Sequence, residues 1–563
     1  MQAVVRTFAI GLAALFCMGQ SAPDRIDYTL TPVITDGALT AVQYDLRFRG
    51  EADGETSISL PESWGGQNEL WRGIDRLEVV SGGELRAGEG PARRLLTHRP
   101  NATVHLRYRV IQDFDGAPNA QQGNAYRPVI QPGYFHLIGE ASIVTPTDAD
   151  HTTPIRWRAR NMPRGWALAS DLEHRDLRLV NLWSSITVGG DFRIVHDREN
   201  QVRVALRGEW GFTDADFSAR VAEIIRGQRR LFGDRPSQYL VTVIQLDNPQ
   251  QNWLSIGGTG LGDAFAFFAT PNAEAAPISR TLAHEGLHSW IPARIGGMPR
   301  EGEAALYWLS EGFTDFYTGR VLVREGLWTP AQFAEDFNQT LRAYAQSPAR
   351  TEPNTRILAD FWNSQPVQQL PYQRGRMLAT IWDARLRAAG GRDFDDVLLT
   401  MRDRAASGDA TLANDLFAAV TQEMNLDVSG DVERHVMRGE AILLPEDVFA
   451  PCGRIVTEDI TAFHRGFDIE ATSSNNNIVA GTDPTLPAYA AGVRDGMVLI
   501  RRDAGAIGDS SQEIAYVMRD GETERTFRYM PTGHGVFTQQ RLALAEGLAG
   551  ERLAQCVRVL GGA

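Results

Sequence analysis

From Asp27 to about Arg207 apolar and polar residues alternate in short runs, such as "AVQYDLRFRG", "TVHLRYRVIQ" and "NQVRVALRGEW", with Gly, Pro, Asn and Asp between them. A period of two buries one side of each run and wets the other, so this stretch reads as antiparallel strands of a β-sandwich. At "FTDADFSARVAEIIRGQRRLFG" (212–233) the period lengthens to about 3.6, that of a helix. The strand-like "QYLVTVIQL" follows, and helical patterns then dominate from Ser279 to about Ala441, among them "EAALYWLSEGFTDFYTGRVLVREG" and "YQRGRMLATIWDARLRAAG". After "LLPEDVFAPCG" strands return in a stretch rich in Asn, Gly and Asp. The expected organisation is a multidomain α+β chain: a sandwich over 23–207, a mixed and mainly helical unit over 208–450, and a β unit with a tail over 451–563.

The first residues, "MQAVVRTFAIGLAALFCMGQSAPD", break this pattern with one positive charge, Arg6, and an apolar run from Thr7 to Gly19. That run is short for a membrane span and has the build of a secretory signal, so residues 1–22 are expected to be removed near Ser21 or Ala22. The mature protein is then exported, periplasmic or secreted. A lipid anchor at Cys17 is the competing reading, which the bulky Phe16 before it disfavours. No later segment has the length and apolarity of a membrane span. Export places Cys452 and Cys556 in an oxidising compartment, where a disulfide between them is expected. Two buried free thiols are the alternative.

Composition changes the picture in two ways. The formal net charge of −14 leaves no basic footprint for a phosphate backbone, so no nucleic-acid partner is expected. All 56 Lys and Arg residues are arginine, which excludes lysine chemistry and leaves only arginine where a motif usually carries lysine.

The stretch "TLAHEGLHSWIPARIGG" (281–297) sets His284 and His288 four residues apart with Glu285 between them. On a helix that spacing presents two imidazoles on one face, with Glu285 turned toward the open side of a shared metal. The pattern alone is weak, since two histidines can equally be satisfied by hydrogen bonds in a core. A further candidate ligand stands in "LYWLSEGFTDFYTG" (306–319), where Glu311 and Asp315 share one side of a helix whose other positions include Leu309, Phe313 and Phe316. A buried carboxylate costs several kcal/mol unless paired or bound to a metal. One zinc ion per chain, held by His284, His288 and Glu311, would meet that need, with Asp315 orienting a ligand histidine. The alternative for Asp315 is a solvated helix position.

These residues resemble the gluzincin metallopeptidases, and "HEGLHSWIPARI" followed by "WLSEGFTDFY" resembles the glycyl aminopeptidase family in particular. The resemblance runs over most of the chain and includes Trp290 and "MPRGW" (162–166). It implies a β-sandwich, a thermolysin-like catalytic domain and a C-terminal PDZ domain. "PYQRGRMLATIWDARLR" (371–387) resembles the family's Tyr-x-Lys-Gly helix opening, which makes Tyr372 the expected oxyanion donor and puts Arg374 in place of the lysine. A core tyrosine is the alternative. In "SIGGTGLGDAFAFF" (255–268) Gly257 and Gly258 match the family's substrate-binding Gly-Gly-x-Glu-His strand, but Gly260 and Leu261 stand at the Glu and His positions. Asp263 is the expected replacement for holding the substrate amine, with a plain turn aspartate as the alternative. The strands of "HRGFDIEA", "TLPAYAAGVRDGMVLI" and "TERTFRYM" resemble a PDZ domain, whose "RGF" turn (465–467) would take a peptide C-terminus, although Met497 replaces the family's aspartate.

The expected function is therefore that of an exported zinc metallopeptidase acting on peptides or proteins, which the resemblance narrows to an aminopeptidase removing small N-terminal residues. A zinc endopeptidase and a non-catalytic peptide-binding scaffold are the rivals. A structural zinc site usually closes its fourth position with a protein ligand, whereas three ligands beside a base favour an enzyme.

Overall fold

The computed structural model describes residues 25–562 apart from 121, 148, 174–175, 248–253, 274, 300 and 409–410. The expected signal at 1–22, with Cys17, lies outside the described residues. Among the described residues no helix is long and apolar enough to cross a membrane.

The alternating runs near the N-terminus form two sheets around one core. In the larger, the strand order is Ile155–Ala159, Ile26–Thr35, Ala38–Arg49, Thr103–Val110 and Ile74–Ser81, and only the first pair is parallel. The smaller is built on Glu55–Ser59 and Arg93–Thr97. The period of two turns Tyr28, Leu30, Tyr44, Leu46 and Tyr108 inward against Ile58 and Leu96. Tyr44 lies opposite Tyr108 and their rings stack with centroids 5.2 Å apart. A buried phenol needs a partner, and the Tyr28 hydroxyl donates to the Val144 carbonyl at 2.9 Å.

Two strands of the expected sandwich range, Arg193–Asp197 and Val202–Leu206, belong to the next sheet. Val202–Leu206, read from its alternation as a sandwich strand, pairs in parallel with Tyr239–Gln245 and belongs to the next sheet, whose order is Arg193–Asp197, Val202–Leu206, Tyr239–Gln245, Ala264–Ala269, Ile256–Leu261. This sheet is covered on both faces, so its central strands are apolar runs without alternation. Val241, Val243, Phe265 and Phe267 meet the helices, while Leu240, Ile244, Ala266 and Phe268 meet a third sheet that carries Ile186 and Val188. Ile256–Leu261 is the edge strand, antiparallel to its neighbour.

Helices supply the rest of the middle unit. Asp214–Phe232 opens with Thr213 accepting from the Asp216 N–H at 3.1 Å and closes at Gly233 with φ 66°. Ala275–Leu287 buries Ile278, Leu282, Ala283 and Leu287 on one stripe. Tyr307–Arg324, Pro330–Gln346 and Gln365–Ala389 follow. Gly286, one residue past Glu285 on the motif helix, faces the buried Gln228, whose Nε2 donates to the Ala283 carbonyl at 2.7 Å; a Cβ there would stand 2.7 Å from Gln228 Oε1.

Beyond residue 451 a long antiparallel ribbon, Gly453–Phe463 with Thr532–Leu544, frames a small unit with its own core of Phe467, Val479, Met497, Tyr516 and Phe527. The tail, grouped with this β unit by the sequence, instead forms the helix Gly550–Gly561 and returns to the middle unit. Arg324 donates from Nε to the Gly561 carbonyl at 2.7 Å, and a Cys452–Cys556 disulfide joins this helix to the foot of the ribbon.

Candidate active site

Two helices bring the metal-type residues together. His284 lies in the last turn of Ala275–Leu287, while His288 stands just past the helix end, where the chain tightens and its N–H returns to the Glu285 carbonyl at 3.1 Å. Opposite them, Glu311 and Asp315 occupy one side of Tyr307–Arg324. His284 Nε2 is 3.2 Å and His288 Nε2 3.5 Å from the same Glu311 oxygen, Oε2. Tetrahedral ligands about 2.1 Å from an ion stand about 3.4 Å apart, so these separations are those of a shared metal.

The outer nitrogens decide what the inner ones can do. His288 Nδ1 is 2.9 Å from the Ile291 carbonyl, and His284 Nδ1 is 2.9 Å from Asp315 Oδ1. Both partners accept, so both Nδ1 atoms carry hydrogen, and in the neutral rings both Nε2 atoms present lone pairs toward a carboxylate. Three acceptors aimed at one point need a cation between them, and two imidazoles with one carboxylate are a donor set that zinc takes. Among the described residues this is the only such trio, its donor atoms all within 4.8 Å of one another. Without a metal, burial opposes a charged ring, but Asp315 and Glu311 outweigh it and push His284 up to about 10. Burial likewise works against the Glu311 carboxylate, and His288 and His284 hold it well below the usual range.

Asp315 is itself fixed. Arg280, one turn before His284, donates Nη2 to both Asp315 oxygens at 3.0 and 2.9 Å, and its Nε to Asp336 at 2.7 Å. Arg376 completes the chain through Asp336 at 2.6 Å. A carboxylate locked between an imidazole and a guanidinium keeps the ring orientation that a metal requires.

Glu285 and Tyr372 face the same cleft, of about 820 Å³. Burial raises the pKa of Glu285, which suits a group that takes and returns a proton. Tyr372 lies over His284 with ring centroids 5.8 Å apart, and burial with the nearby carboxylates Glu311 and Glu285 keeps its phenol protonated, hence a donor. Its position follows from a close helix crossing. A Cβ on Gly375 would sit 1.9 Å from the Trp308 carbonyl, and one on Gly312 would sit 2.3 Å from Gly375 Cα. Glycine at both sites lets the two backbones touch and sets Tyr372 beside Glu311.

The edge strand borders the cleft through Gly258, Thr259 and Gly260, while Gly257 stands outside it, 3.4 Å at its would-be Cβ from the Tyr126 hydroxyl. Gly260 cannot carry a side chain, because a Cβ would lie 2.1 Å from the Glu285 carbonyl. Asp263, expected to hold the substrate amine, is not among the residues lining the cleft; it pairs with Arg294 at 3.2 Å, which also pairs with Asp234 at 2.7 Å. Trp290 is a prop behind the motif, stacked on Phe232 at 5.3 Å.

Several lining residues were not singled out by the spacing, although Tyr307 and Ser310 stand in the same stretch as Glu311. Trp64 to Asn68 come from a loop of the N-terminal unit, Tyr126 donates to the Gly258 carbonyl at 3.0 Å, and Glu303, Tyr307, Ser310 and Trp362 form the facing wall. Trp64–Asn68, Tyr126 and Trp362 reach the site only through the folding of distant segments.

Known proteins resemble this chain in the segment that holds the trio and in fold. Residues 278–362, which contain both histidines and Glu311, match the model of the M61 glycyl aminopeptidase family. An aminopeptidase N family protein from Idiomarina loihiensis superposes with a TM-score of 0.66 at 15% identity, over 94% of this chain and 100% of that one. An M1 zinc metallopeptidase from Deinococcus radiodurans gives a TM-score of 0.46 at 15% identity over 75% and 94% of the two chains. Yeast LTA4 hydrolase gives 0.47 at 15% identity over 76% and 70%. No curated protein sequence matches the chain. The segment holding the trio thus resembles that of the M61 glycyl aminopeptidases, which supports a peptidase, and the fold is similar to that of the aminopeptidase N family protein.

Proposed function

We propose that the protein is a zinc-dependent aminopeptidase that acts outside the cytosol on the N-terminus of peptides. The observation that carries this reading is the convergence of His284 Nε2 and His288 Nε2 on Glu311 Oε2, beside a buried Glu285 in an open cleft. His284, His288 and Glu311 would hold one zinc ion. When bound, zinc would supply Lewis acidity toward a water molecule and the peptide carbonyl. Glu285 takes the proton of the attacking water and returns it to the leaving amine. Tyr372 donates its hydroxyl hydrogen bond to the carbonyl oxygen as negative charge develops there. The edge strand at Gly258–Gly260 is open to an extended substrate backbone.

Export rests on the sequence of residues 1–22 and is supported by the Cys452–Cys556 disulfide. The unit between the ribbon strands we read as the PDZ-like module of the resemblance, with the "RGF" turn at Gly466 (φ 82°) as the place for a peptide C-terminus. Met497 is buried in its core.

The test is digestion of a peptide library by the zinc-loaded mature protein, read by mass spectrometry. Loss of single N-terminal residues is expected, and it should stop on removal of zinc by a chelator and return on adding it back. Internal cleavage of N-acetylated peptides at equal rate would make the protein an endopeptidase.

A further inference from the structure

An aminopeptidase must take a cationic α-ammonium out of water, which is unfavourable without an anionic partner. Neither position considered from the sequence supplies one: Gly260 has no room for a side chain and Asp263 is held by Arg294 outside the cleft. Three carboxylates line the cleft among the described residues, Glu285, Glu303 and Glu311. Glu311 faces both histidines and Glu285 has the proton to move. Glu303 is left over.

Glu303 opens the short turn Glu303–Leu306, and among the described residues it has no ion pair or hydrogen bond. No arginine lines the cleft among the described residues, so nothing basic competes for it. Glu303 is exposed on the cleft wall, where a cationic ligand can reach it. A separate observation points to the same wall. Ser310, next to Glu311, belongs to the cleft wall and is 2% exposed, and its buried hydroxyl has no hydrogen-bond partner among the described residues. A buried hydroxyl left unpaired in the protein is one that a ligand can satisfy. Tyr307, one turn after Glu303, and Trp362, 62% exposed, add aromatic faces on which a cation is stabilised.

We propose that Glu303 and Ser310 form the subsite that takes the α-ammonium of the substrate, in place of the glutamate that the edge strand lacks. This assignment rests on the aminopeptidase reading above. It ties exopeptidase specificity to the segment between the two zinc-ligand helices rather than to the edge strand.

The experiment compares alanine p-nitroanilide with its N-acetyl derivative, with zinc content and thermal melting recorded for every variant. Glu303→Gln is expected to raise KM for the free amine about tenfold or more with kcat within about threefold, and to leave the slow hydrolysis of the acetylated substrate unchanged. Glu303→Asp should recover part of the loss, and Ser310→Ala should raise KM by a smaller factor. Competitive inhibition by alaninamide should weaken in parallel, a readout of binding that needs no turnover of the amide. Asp263→Asn should behave as wild type. An unchanged KM in folded, zinc-loaded Glu303→Gln overturns the assignment, as does a rise confined to Asp263→Asn. Should Glu303→Gln fail to fold, Glu303→Asp and Ser310→Ala decide the matter in the same way. If wild type shows no preference for the free amine, the aminopeptidase reading itself fails, which no behaviour of Glu303 alone would cause.

Discussion

Glu285 sits beside the metal-type trio without belonging to it, which separates proton transfer from metal binding. Glu285→Gln removes the proton acceptor and leaves His284, His288 and Glu311 in place. The expected outcome is an unchanged zinc content with kcat lower by roughly 10²–10⁴-fold, checked by metal analysis and steady-state kinetics on one peptide substrate. Loss of zinc in that variant would show that the carboxylate stabilises the ion and would remove its role as a base. The trio, Glu285 and Asp315 were legible in the sequence because four-residue spacing on two helices fixes which side chains share a face. That Asp263 lies outside the cleft was not legible, because its partner Arg294 comes from a loop 31 residues on. Glu303 and the Trp64–Asn68 loop carry no spacing signal, since their chemistry depends on which distant segments fold against them.

Elements were easier to read where one face is wet. The sandwich strands and the long helices show their periods, whereas Val202–Leu206 and its parallel neighbours are buried on both sides, and the next sheet took Val202–Leu206 together with Arg193–Asp197 from the range assigned to the sandwich. Helix crossings are not visible as periods at all. Gly312 and Gly375 read as two residues poor for helices, yet they are the contact where Tyr307–Arg324 meets Gln365–Ala389. Gly375→Ala must push its methyl into the Trp308 carbonyl, 1.9 Å away in the present backbone, so the helices have to separate. Overpacking of this kind costs about 1–3 kcal/mol. Because Tyr372 rides on the displaced helix while the histidines do not, kcat should fall more than zinc affinity. Thermal melting, zinc titration and kinetics on the same preparation check this; equal losses of zinc and activity would mean that the crossing holds the metal ligands and not the tyrosine.

At the scale of the whole molecule the N-terminal unit is joined to the catalytic sheet through a shared apolar layer, where the His136 ring packs edge-on against Phe268. Its Nε2 lies 3.0 Å from Thr242 Oγ1 on the catalytic sheet, its Nδ1 has no partner, and burial pushes its pKa down to about 3. The folded protein therefore leaves His136 neutral until about pH 3, whereas the unfolded chain protonates it near the ordinary value of 6.5. Its contribution to stability is fully present above about pH 6.5 and is lost as pH falls toward 3, by at most about 1.4 kcal/mol per pH unit. Glu140 and Asp171 work in the opposite sense. Burial raises them to about 7 and about 8, so their contribution is full below their unfolded values and is lost as pH rises through those figures. The wild-type melting curve against pH therefore mixes both slopes, and the informative quantity is the difference between wild type and a variant. His136→Gln removes only the acid-sensitive group, so whatever the variant loses in packing at pH 7.5, it should regain relative to wild type by up to about 2 kcal/mol on going to pH 5. Denaturant unfolding at the two pH values measures that change. A constant difference across the range would mean that water or a neighbouring group lets His136 take its proton in the folded state, and that the joint between the units is not the dry layer described above.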